Sequence, residues 1–116
     1  MHLSRVLVVA ALGVAAACSS STSGSGPGPN QVFMQGSAFN PATRTVAVGT
    51  TVTWMNQDGF AHTVTYSSGA GAAFDAGSVP GGGSYQHTFT VAGTVQYYCT
   101  IHGTPTTGMR GTIVVQ

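Results

Sequence analysis

Thr51-Val52-Thr53-Trp54 alternates hydroxyl-bearing and apolar side chains. Successive side chains of an extended chain point to opposite faces, so Val52 and Trp54 share one face while Thr51 and Thr53 share the other. One face seeks a core and the other meets water. The same period of two recurs in Tyr85-Gln86-His87-Thr88-Phe89, which places Tyr85, His87 and Phe89 together. Further short stretches of β-branched and aromatic residues, bounded by Gly, Pro, Asn and Ser, run over 31–35, 43–48, 62–66, 94–99 and 111–115. No stretch carries a convincing helical period. The pattern predicts an all-β chain folded as an antiparallel Greek-key β-sandwich of about seven to eight strands, with threonine covering much of the outside.

Composition narrows the function. Only 4% of the 116 residues are charged: Arg5, Arg44 and Arg110 against Asp58 and Asp75, with no lysine. There is no basic stripe to neutralise phosphates, so nucleic acid is not an expected partner. The two aspartates lie in separate turn-like contexts, and nothing in the sequence pairs them for acid/base work. No serine has a Ser-His-Asp context, and Gly81-Gly82-Gly83 follows Pro80 between strands, where it reads as a turn and not a phosphate cradle. The chain is not expected to be an enzyme.

Residues 1–17 join a positive start at Arg5 to an apolar run too short to span a bilayer, the pattern of a secretory signal peptide. Its end, Ala15-Ala16-Ala17-Cys18, resembles the lipobox of bacterial lipoproteins, which implies lipid attachment at Cys18. Residues 18–30 are rich in Ser, Gly and Pro and read as a flexible tether. A folded domain is expected over 31–116, exported to the periplasm or cell envelope and held at the membrane by a lipid anchor. Arg44 and Arg110 balance Asp58 and Asp75 in that domain.

The chemistry concentrates in Cys99-Thr100-Ile101-His102 and the following Gly108-Met109, with His62 upstream, after the turn-like Asn56-Gln57-Asp58-Gly59. These residues offer a thiolate, two imidazoles and a thioether. Zinc takes Cys and His but seldom a thioether, whereas a trigonal Cys-His-His set with a weak axial Met suits copper in both oxidation states. Other candidates read as packing. Met34 and Met55 sit within strand patterns, Trp54 lies on an apolar face, and His87 shares the inward face of Tyr85 and Phe89.

Taken in order, these residues resemble the cupredoxins, in particular the small plastocyanin- and amicyanin-like proteins of bacteria. The resemblance runs from Phe39-Asn40-Pro41 through Val48-Gly49-Thr50-Thr51-Val52-Thr53-Trp54-Met55-Asn56 and His62-Thr63-Val64 to Cys99-x-x-His102, Gly108-Met109-x-Gly111 and Thr112-Ile113-Val114-Val115. It implies one copper ion held by His62, Cys99 and His102 in a plane, with Met109 axial. The six residues 103–108 make a longer loop between His102 and Met109 than such proteins usually have. The resemblance also implies a monomer that shuttles single electrons between protein redox partners. Docking is expected through an apolar patch of Phe60, Ala61, Gly103 and Pro105 around the exposed edge of His102. Thr63, directly after His62, is expected to tie the ligand loops together by a hydrogen bond. A copper storage or delivery protein of the periplasm would use the same ligands and is the alternative.

Overall fold

The computed structural model describes residues 26–116. The segment expected to be a signal peptide, Cys18 and most of the expected tether lie outside them. Eight strands follow in order: β1 (Gln31–Met34), β2 (Phe39–Asn40), β3 (Thr43–Val46), β4 (Thr50–Asn56), β5 (Thr65–Gly69), β6 (Ser84–Phe89), β7 (Gly93–Gly103) and β8 (Gly108–Val115). They form two four-stranded sheets, ordered β2-β1-β4-β6 and β3-β8-β7-β5. No helix occurs among the described residues, and the all-β sandwich stands as expected.

The sheets are mixed rather than purely antiparallel. β1 pairs parallel to β4, with Val32 opposite Trp54, and β3 pairs parallel to β8, with Arg44 opposite Ile113. The cause is connectivity: between β1 and β4 the chain crosses to the other sheet to form β3, so β4 returns in the direction of β1. Side-chain alternation is the same in parallel and antiparallel strands, so the sequence pattern carries no trace of this difference.

Alternation does place the core. Val52 and Trp54 of β4 are fully buried, and Tyr85, His87 and Phe89 all turn inward from β6. The Trp54 ring lies 5.3 Å from that of Tyr97 and 6.2 Å from those of Phe74 and Phe89, an aromatic centre that joins the two sheets. Met34 is fully buried, in keeping with a packing role. His87 packs against Phe74, ring centroids 4.4 Å apart, and is half-buried, and that burial lowers its pKa. Gly111 is required here because a Cβ at that position would collide with the Tyr97 phenol ring.

Two departures from regular pairing position the chemistry. In the β7–β8 ladder Tyr98 faces Arg110 and Gly103 faces Gly108, so β7 advances five positions while β8 advances two. Cys99 to His102 therefore bulge out of the ladder at one end of the sandwich. The strand expected over 62–66 begins only at Thr65; His62 stands before it, held by an isolated bridge to Val79.

Candidate metal centre

At that end, three segments distant in sequence supply donor atoms. His62 is fixed from its backbone: its N–H donates to Val79 O at 3.0 Å, and the Val79 N–H donates back to His62 O at 2.7 Å. Buried Asn56 braces the same loop, its side-chain amide donating to Phe60 O at 2.8 Å and Val79 O at 3.0 Å. Cys99 and His102 come from the β7 bulge. Met109, 2% exposed, is the second residue of β8, directly after the Gly103–Gly108 pair, and lies close to the other three.

The ligand atoms of His62, Cys99 and His102 all lie within 4.8 Å of one another. His62 Nδ1 is 3.1 Å from His102 Nδ1, and Cys99 Sγ is 3.7 Å from the first and 3.9 Å from the second. Both imidazoles thus turn the same kind of nitrogen toward the sulfur. His62 and Cys99 are fully buried, whereas His102 reaches solvent.

Electrostatics prepare the sulfur. Burial alone would raise the Cys99 pKa, but the backbone N–H groups of Thr63, His102 and Ile101 and the His102 ring outweigh it and pull the thiol down to about 6. The Thr63 N–H donates to Sγ at 3.3 Å. The Thr63 hydroxyl accepts the Thr100 N–H at 2.8 Å, so one residue connects the segment of His62 to that of Cys99. The thiolate-plus-imidazole set, converged and buried at two of its three members, fits a soft, redox-active ion such as copper better than a hard cation.

Of the residues expected at the docking patch, Phe60 is 50% exposed and Pro105 is exposed, while Ala61 and Gly103 are partly covered. The Phe60 ring sits 5.2 Å from that of His62 and 5.4 Å from that of His102. Ile101, 53% exposed and next to His102 in the chain, is a further exposed apolar side chain that the sequence reading did not assign to the patch. Asp58 is the other residue missed. Its carboxylate lies 2.7 Å from His62 Nε2, an i, i+4 contact across a turn that no motif announces.

Comparison with known proteins places this geometry in context. Residues 28–116 match the family described as copper binding proteins, plastocyanin/azurin family. The chain is 40% identical over 87 residues to a plastocyanin of Scenedesmus fuscus, covering 67% of this chain and 86% of that protein. It is 40% identical over 73 residues to the amicyanin of Paracoccus denitrificans, covering 61% of this chain and 53% of that one. A solved Cu(I) amicyanin variant superposes with a TM-score of 0.64 at 34% identity, over 74% of this chain and 80% of that one.

Proposed function

The chain belongs to the plastocyanin/azurin family of copper-binding proteins, and from that premise we propose that it is an exported type 1 copper protein that carries single electrons between protein partners. His62, Cys99 and His102 would hold the ion, with Met109 as the weak fourth donor. The observation that carries this reading is the convergence of a thiolate and two imidazoles within 4.8 Å at one end of the sandwich. Bound copper supplies the one-electron couple. The protein's part is to hold the donors in one arrangement for both oxidation states, so that little moves when the electron does.

The residues are suited to that task. Cys99 issues from a strand, His62 is pinned by Val79 on both its N–H and its C=O, and Thr63 joins the two segments. Burial of Cys99 and His62 excludes water from two donors, while His102 leaves one edge open for transfer. Phe60, Ala61, Gly103 and Pro105 would surround that edge as an apolar docking patch for a redox partner. A delivery protein needs donors that a competing site can reach in turn, and a fully buried thiolate does not offer that. The domain over 31–116 would act as a monomer, tethered through lipidated Cys18 by the flexible segment that follows it.

Copper titration of the exported protein tests the reading. One equivalent of Cu(II) is expected to develop an intense visible thiolate-to-copper charge-transfer band that Cys99→Ser abolishes. Stoichiometric copper without colour would reject it.

A further inference from the structure

His62 has two ring nitrogens, and only one faces the other donors. Nδ1 points at His102 and Cys99; Nε2 lies 2.7 Å from Asp58 Oδ2. The carboxylate is itself fixed. Asp58 Oδ1 accepts the Gly36 N–H at 2.8 Å, Oδ2 accepts the Ser37 N–H at 3.0 Å, and the Asp58 N–H donates to Asn56 Oδ1 at 2.9 Å. Gly36 and Ser37 both have positive φ, 64° and 55°, as the central pair of the tight turn between β1 and β2, and the two successive N–H groups of that turn both donate to one carboxylate. Ser37 is a non-glycine residue in the left-handed region, which costs about 1 kcal/mol and is sustained by the contacts it makes possible.

From this geometry we infer that Asp58 is a positioning residue of the metal centre: it holds His62 as the Nε2–H tautomer, presents the Nδ1 lone pair to the ion, and favours the oxidised state. The inference rests on His62 being a copper ligand. A carboxylate hydrogen-bonded to the remote nitrogen of a ligating imidazole fixes its orientation and makes it a stronger donor. A stronger donor stabilises the more highly charged ion. The domain carries only one other carboxylate, Asp75, so the charge of Asp58 is not diluted by neighbouring acids. Asp75 is engaged elsewhere, with Thr65 Oγ1 and the Gly77 N–H.

The test compares Asp58→Asn with Asp75→Asn in the copper-loaded full chain, since both remove one negative charge. Asp58→Asn is expected to weaken Cu(II) relative to Cu(I) binding by about tenfold, read as a rise in midpoint potential of about 59 mV for a one-electron couple. Asp75→Asn is expected to leave the potential within a small fraction of that. Equal shifts in the two variants, or none in either, would overturn the inference. A second measurement covers the case in which Asp58→Asn fails to fold or to keep copper. Nitrogen-15 NMR of the metal-free wild-type chain at pH 8 is expected to show His62 protonated at Nε2 and bare at Nδ1, and the reverse would overturn it. A wild-type chain that takes no copper defeats the proposed function, while the tautomer still decides what Asp58 does.

Discussion

Cys99 combines full burial with an acidic thiol, two properties that ordinarily oppose each other. Backbone N–H groups resolve the opposition, and they give the metal-free protein a characteristic pH dependence. The folded thiol titrates near 6 and the unfolded one near its ordinary 9.0, so between those values the unfolded chain binds more protons. This part of the stability is fully present above about pH 9 and is lost as pH falls through about 6. Urea denaturation of the metal-free protein at pH 9 and pH 6 is expected to show the drop, and Cys99→Ser to flatten it. Met109→Leu replaces a weak donor by an apolar side chain of similar volume. The colour is expected to persist and the midpoint potential to rise, because an axial thioether tunes the couple without creating it; loss of the visible band would show that Met109 is essential to the centre. The soft donors were legible in the sequence because few roles suit a thiolate, two imidazoles and a thioether in that order. Asp58 was not, because its role depends on two N–H groups more than twenty positions upstream and on the orientation of a histidine ring.

At the scale of elements, the centre depends on where pairing is broken. The β7 bulge releases Cys99 to His102 from the ladder, and Gly108 closes the loop that follows at φ 76°, where a Cβ would meet His102 O at 2.6 Å. That loop staples itself: the Thr104 hydroxyl accepts the N–H groups of Thr106 and Thr107 at 3.2 and 3.0 Å. Its unusual length is therefore compatible with a defined shape. On the other side, Asn56 supports the His62 loop with two donated hydrogen bonds and accepts a third from Asp58. Asn56→Ala is expected to destabilise the fold by about 3 kcal/mol, summed from typical net values per hydrogen bond, and to weaken copper binding with it. Chemical denaturation with and without the metal checks both effects, and a variant as stable as wild type would remove Asn56 from the account. Alternation located the buried faces of β4 and β6 but not the β7 bulge, whose register is set by its pairing with β8.

For the molecule as a whole, two mixed sheets enclose an aromatic core around Trp54, and the donors collect at one end of it. The sandwich was visible in the sequence through period-two patterning. Its parallel pairs were not, because strand direction is decided by which sheet the chain visits between neighbours. The domain's balanced charge, Arg44 and Arg110 against Asp58 and Asp75, has a kinetic consequence. Electron transfer to a partner is expected to depend weakly on ionic strength, since neither long-range attraction nor repulsion steers the encounter. Stopped-flow rates measured across a salt series would show a steep slope if docking were electrostatic instead. The central claim is that His62, Cys99 and His102 bind one ion together. Copper K-edge X-ray absorption on the stoichiometric complex tests it most directly: two imidazole nitrogens and one short sulfur contact are expected around each copper, and a coordination sphere without that sulfur would contradict it.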